Sequence, residues 1–153
     1  MSKERTLILG IGNPLMGDDG AGIEAVRLLA ESTLPENVFV QEAGTPGWGL
    51  VEWIKGWPSV VIVDAINMGL KPGEWRRLDT SEVRLIATQG DLSLHDSGLA
   101  SGLALAQALD LLPDRITFYG IEPESIDHGM VLSPSVNANL PRLVESLRTE
   151  FAM

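Results

Sequence analysis

Two acids side by side, Asp18 and Asp19, close a glycine-rich turn in the stretch LILGIGNPLMGDDGAG, Leu7 to Gly22. A third acid, Asp64, ends the apolar run SVVIVD, and His95, one of two histidines in the chain, sits within GDLSLHDSGLASG. Carboxylates and an imidazole are the side chains that trade protons or bind divalent cations. Two carboxylates and one imidazole, with coordination positions left open, make a divalent-cation site. Oxygen and nitrogen donors suit nickel, zinc, iron or manganese, and affinity alone does not choose among them. A 2+ ion cancels two carboxylate charges that would otherwise raise each other's pKa. The imidazole must be neutral to bind, so affinity should fall below about pH 6.5.

Each of these residues also has a structural reading. Asp is a favoured N-cap and first-turn residue, so one of Asp18 and Asp19 can cap the following helix. Capping needs only one of them. Asp18 is the better candidate for the cap, and Asp19 for the metal. Asp64 can cap the turn after its strand. A charge ending a central strand is nonetheless costly unless it is paired, capped or metal-bound. A histidine in a loop can be a surface or hydrogen-bonding residue, and His128 in SIDHGM reads as a structural loop residue.

The glycine turn resembles a phosphate-binding loop but fails the test for one. Gly10 and Gly12 fit Gly-x-Gly-x-x-Gly, yet the third position is Leu15. Pro14 removes a backbone N–H that a phosphate would want. The acids at the helix start already supply the negative charge that a helix N-terminus attracts. Other catalytic signatures are missing too. There is no HExxH, and GLASG places its serine one position late for a nucleophile elbow. The triplets DTS at 79–81 and DSG at 96–98 superficially match aspartic-protease signatures, but the order of elements contradicts an all-β fold.

That order positions the candidate residues. Residues 6–10 read as a buried strand, and 20–32 carry Ile23, Val26, Leu29 and Ala30 at helical spacing. Residues 37–43 alternate as a strand does. A short helix over 48–56 is stopped by Gly56 and Pro58. Residues 59–65 form a second buried, β-branched strand, and 70–79 a turn with an outer strand. The segment 81–88 is ambiguous between strand and helix. A long helix spans 97–112, a strand 115–123, and a closing helix runs from 134 onward. Pro141 predicts a kink or a late start in that last helix. Strands that alternate with helices and are apolar on both faces predict an α/β fold of three layers. Its mostly parallel twisted sheet has helices on both faces and one antiparallel edge strand at KPGEW. Ligands of such sheets bind beyond the carboxyl ends of the strands, which is where Asp19, Asp64 and, if 81–88 is a strand, His95 fall.

Composition bounds the partners. The 153 residues suit one domain, 1–153, with a core of its own. There are no cysteines, so disulfides, zinc–thiolate centres and thiol nucleophiles are excluded. A net charge of −10 disfavours nucleic acid and anionic membranes. The N-terminal apolar run is too short for a signal sequence and none is long enough to span a membrane, so a cytoplasmic location is expected.

The motifs GIGNPLMGDDGAG, AGTPGWGL, VVIVDA, LSLHDSGL and GIEPES, in this order and spacing, resemble those of the [NiFe]-hydrogenase maturation endopeptidases. The resemblance runs from about Leu7 to Leu147. It implies a monomeric α/β protein that removes a C-terminal extension from the hydrogenase large-subunit precursor after nickel insertion. It implies that Asp19, Asp64 and His95 are both the catalytic residues and the metal ligands. The nickel would be presented by the substrate, with zinc or cadmium able to replace it in crystals. Gly44, Thr45 and Gly47 would belong to a loop that handles substrate. Ala43 stands where the family often has glycine, and Leu94 where some members have proline. Leu15, Met16, Trp48 and Met68 are candidates for an apolar groove around the substrate tail, although Met68 reads better as core. The alternative function is a metal-binding assembly chaperone that inspects nickel without cutting. A nucleotide- or sugar-phosphate-binding domain is a third reading, disfavoured by the acidic turn.

Overall fold

The computed structural model describes residues 4–89, 99–129 and 131–151. Five strands form one sheet: β1 (Thr6–Ile11), β2 (Val38–Gly44), β3 (Ser59–Ala65), β4 (Trp75–Leu78) and β5 (Arg115–Ile121). Their order across the sheet is β2-β1-β3-β5-β4. All pairings are parallel except β4 with β5, so the antiparallel strand at the edge follows the KPGEW turn as expected. The five helices are α1 (Ala21–Ala30), α2 (Leu50–Ile54), α3 (Thr80–Gln89), α4 (Leu99–Ala108) and α5 (Pro134–Phe151).

The three layers follow from alternation along the inner strands. Leu7, Leu9, Ile11, Val60, Ile62, Ile116 and Phe118 face one side, against α2, α3 and α4. Ile8, Val61, Val63, Tyr119 and Ile121 face the other, against α1 and α5. Every residue of β1 and β3 is buried, so neither face of the sheet centre meets water. That burial is why these strands lack polar alternation.

The ambiguous segment is a helix, α3. Asp79 is its N-cap: its Oδ1 accepts the Glu82 N–H at 2.9 Å, while Glu82 Oε1 accepts the Asp79 N–H at 3.2 Å. This reciprocal pair is a capping box and favours helix over strand. It also accounts for the DTS triplet without catalysis. With 81–88 helical, the alternative in which that segment is a strand does not hold. α4 stops at Ala108, short of the expected 112, and the chain turns through Asp110 at φ 57°. α5 begins on Pro134, where a missing N–H costs nothing, and continues through exposed Pro141 rather than starting late. Among the described residues no helix is long and apolar enough to cross a membrane.

Candidate functional site

β1 and β3 are neighbours at the sheet centre, and the chain leaves their carboxyl ends at the Gly12 turn and at Asp64. The turn is built to lie close. Gly12 sits at φ 134°, and a Cβ added there would stand 1.9 Å from the Asp19 carbonyl oxygen and 3.8 Å from Asp64 Oδ1. The Asp19 backbone and the Asp64 carboxylate, 45 positions apart in sequence, therefore both approach the Gly12 α-carbon. α1 then packs directly on the sheet: a Cβ on Gly22 would meet the Val63 and Ile11 carbonyl oxygens at 2.2 and 2.4 Å.

Backbone donors orient both acids. Asp19 Oδ2 accepts the Asn13 N–H at 2.9 Å. Asp64 Oδ1 accepts the Ala65 N–H at 2.8 Å, and the residue is fully buried. Asn13 braces the turn as its type predicts, its Oδ1 accepting the Leu15 N–H at 2.9 Å. Carboxylate oxygens are donors that suit a hard or borderline divalent cation. His95 lies outside the described residues, as do Leu94 and the DSG triplet at 96–98.

Asp18 has a different task from the one expected. Neither the 3-10 turn Gly17–Gly20 nor α1 receives a side-chain cap from it. It is fully buried and points to the far end of the chain. Its Oδ2 accepts the Glu124 N–H at 2.9 Å, the Ser125 N–H at 3.1 Å and the Ser133 hydroxyl at 2.7 Å, and its Oδ1 accepts the Ser133 N–H at 2.7 Å. Burial alone would raise its pKa, but these donors, led by Ser133, more than offset that and hold it below the usual carboxylate range. Ser133 is also the N-cap of α5, accepting the Val136 N–H at 3.4 Å. Asp18 thus ties the acidic turn to the loop after β5. The backbones join as well: the Gly17 N–H donates to the Gly129 carbonyl at 2.8 Å, and the Gly129 N–H to the Leu15 carbonyl at 2.9 Å.

Glu122, just past β5, was not singled out from sequence. It is buried, and its Oε1 accepts the Met68 and Leu70 N–H groups at 2.7 and 3.1 Å, fixing the loop after β3. Its signal was available, since an apolar strand ending in an acid is the same pattern that marks Asp64.

The glycine loop lies beside the crevice. The Gly44 carbonyl accepts the Gly12 N–H at 2.8 Å, and Cβ atoms added at Gly44, Gly47 or Gly49 would meet nothing within 4 Å. Leu15 and Trp48 are 56% and 64% exposed, so they are available to a partner. Met16 is half-buried, and Met68 packs against the core, as its alternative reading held. His128 is exposed on the loop after β5.

Residues 23–150 match the family model HycI, hydrogenase maturation protease. The chain is 34% identical over 135 residues to the hydrogenase expression/formation protein HupD of Rhodobacter capsulatus, covering 87% of this chain. It spans 64% of that relative's length. It superposes on the hydrogenase maturating endopeptidase HybD from Escherichia coli with a TM-score of 0.83 and 31% identity, over 95% of this chain and 90% of that one. The [NiFe] hydrogenase maturation protease HybD from Thermococcus kodakarensis is 40% identical, with a TM-score of 0.75 over 95% and 97% of the two chains.

Proposed function

The chain belongs to the hydrogenase maturation protease family, a family of peptidases, and from that premise we propose a specific reaction. The protein is the endopeptidase that removes the C-terminal extension of a [NiFe]-hydrogenase large-subunit precursor, in the cytoplasm, once nickel is in place. Asp19, Asp64 and His95 bind that nickel, which arrives as part of the substrate.

One observation carries the reading: the Asp19 backbone and the Asp64 carboxylate both lie against the Cβ-less face of Gly12, beyond the ends of two central strands. Each carboxylate is oriented through one oxygen by a backbone N–H. Such preorientation favours a cation over the phosphate that the glycines first suggest. The nickel is a recognition handle: a precursor without it lacks the charge that these acids attract and is left uncut.

The test incubates purified nickel-loaded precursor, from the organism that encodes this chain, with the protein. Loss of mass equal to the extension is expected, and metal-free precursor should stay intact. Complex formation with unchanged mass would instead support the non-cutting chaperone. Equal cutting of both precursors would remove the handle role. Asp19→Asn, Asp64→Asn and His95→Ala should each abolish processing while preserving the fold, and retained activity in any one removes that residue.

A further inference from the structure

The edge strand β2 ends at the candidate site, and its outer side is a groove. β2 pairs with β1 alone among the described strands. The Thr6 N–H donates to the Asn37 carbonyl at 2.9 Å, and Thr6 lies opposite Val38. In a parallel ladder that register engages Phe39 and Gln41 with β1 and turns the N–H and C=O groups of Val40 and Glu42 outward. Beside them, Val26, Arg27 and Ala30 of α1, with Val40, Gln41 and Glu42, line a groove of about 350 Å³. Val26, Ala30 and Val40 give it apolar side chains, and Arg27, Gln41 and Glu42 polar ones. Its site-side end is marked by the Arg27–Glu42 ion pair, with Nε to Oε2 at 2.9 Å.

We propose that the C-terminal extension of the precursor adds to this sheet as a sixth strand, antiparallel to β2, exchanging backbone hydrogen bonds with Val40 and Glu42. The inference rests on the peptidase reading above and names where its substrate tail lies. Three features commit the groove to this occupant. First, β2 leads into the site: the carbonyl of its last residue, Gly44, accepts the N–H of Gly12, the residue against which the Asp19 backbone and the Asp64 carboxylate lie. Second, the backbone between the site and the edge borders open space at Gly44 and Gly47, since a Cβ added at either would meet nothing within 4 Å. Third, a chain that leaves the site and reaches the edge must then run from the carboxyl end of β2 toward its amino end, which fixes the antiparallel sense.

The geometry sets the length of tail required. Neighbouring strands lie about 4.8 Å apart, so the added strand stands about 15 Å from β3. At about 3.4 Å per residue, roughly four to five tail residues cross the glycine loop before pairing begins. Alternate side chains beyond that point face Val26, Ala30 and Val40, and small apolar ones fit. Backbone pairing supplies affinity with little demand on sequence, as in other cases of strand addition.

Val40→Pro removes the outward N–H at a position where an edge strand tolerates proline, and Val40→Ala keeps it. With nickel-loaded precursor, Val40→Pro should raise KM about tenfold, the equivalent of one or two net backbone hydrogen bonds. Val40→Ala should move it much less. Precursor cut back to four residues beyond the scissile bond should raise the wild-type KM to that of Val40→Pro and leave the variant's KM where it was. Hydrogen exchange is a second readout: a synthetic tail peptide at millimolar concentration should protect the amides of Val40 and Glu42 in the wild-type chain. A folded Val40→Pro with wild-type KM would overturn the proposal and leave the peptidase reading standing. Unprotected amides would overturn it even if the variant fails to fold. If wild-type protein does not cut the precursor at all, it is the peptidase reading that falls.

Discussion

Replacing Gly12 with alanine tests whether the site depends on one missing atom. At φ 134°, an alanine occupies backbone space reserved for glycine, at a cost of about 1–3 kcal/mol. Its Cβ would also stand 1.9 Å from the Asp19 carbonyl oxygen, a backbone atom that cannot swing aside as a side-chain tip can. Forcing volume into such packing costs about 1–3 kcal/mol more. The total of about 2–6 kcal/mol should lower Tm by roughly 5–20 °C in a chain of this size. Gly44→Ala is the matched control. It has φ 65° but open space around the added carbon, so it should cost about 1–2 kcal/mol. Urea unfolding followed by the fluorescence of the four tryptophans measures both. Processing should fall in Gly12→Ala, because relief of the clash must displace the Asp19 backbone. Equal destabilisation of the two variants would refute the reasoning, since it would mean that the turn yields without moving the acid.

Three other outcomes follow from the same geometry. Asp18→Ala should destabilise by about 3 kcal/mol, because three backbone N–H groups lose a charged acceptor; limited proteolysis should then cut within 123–133, and an unchanged urea midpoint would contradict this. Tyr119, the chain's one tyrosine, should titrate near pH 12 in a 295 nm absorbance scan, because burial first, and then its bond to Glu150, push it up from 10.0 to about 12. A raised folded pKa favours the neutral phenol, so this contribution to stability is complete below pH 10 and is lost as pH rises through about 12; a native-state midpoint near 10 would contradict the burial. Trp48→Ala should leave stability within about 0.5 kcal/mol, since the ring is 64% exposed, yet raise KM for the precursor; an unchanged KM would remove Trp48 from the docking surface.

The layers were legible because hydrophobic pattern alone decides them. TLILG and SVVIVD have no polar face, so they must be central, and both are. The identity of α3 was less legible. Its apolar positions fit either period, and what separates helix from strand is a four-residue bond pattern, Asp79 with Glu82, readable only when D-x-x-E is taken as a capping box. The length of α4 was overestimated because leucines continue to 112, but the Asp110 backbone at positive φ ends the helix first. Asp64 could be placed at the rim from its strand. The reach of Asp18 could not, since its partners lie more than 100 positions away and no local rule points to Ser133.

That distant bond explains why the turn carries two acids. Adjacent residues in a tight turn point in different directions, so Asp18 and Asp19 cannot share one task. Asp18 is buried and saturated by four donors from the loop after β5 and the start of α5. Its charge is thereby stable without a cation. Asp19 is half-buried, one carboxylate oxygen accepts the Asn13 N–H, and its backbone packs on Gly12 near the Asp64 carboxylate. The first acid anchors the turn to the far end of the chain, and the anchored turn presents the second. Capping, the ordinary reason for an acid at a helix start, applies to neither bond set. A phosphate-binding turn would need its N–H groups aimed outward at an anion. Here the Asn13 N–H is turned onto a carboxylate instead, which reverses the sign of the ligand that the turn can attract.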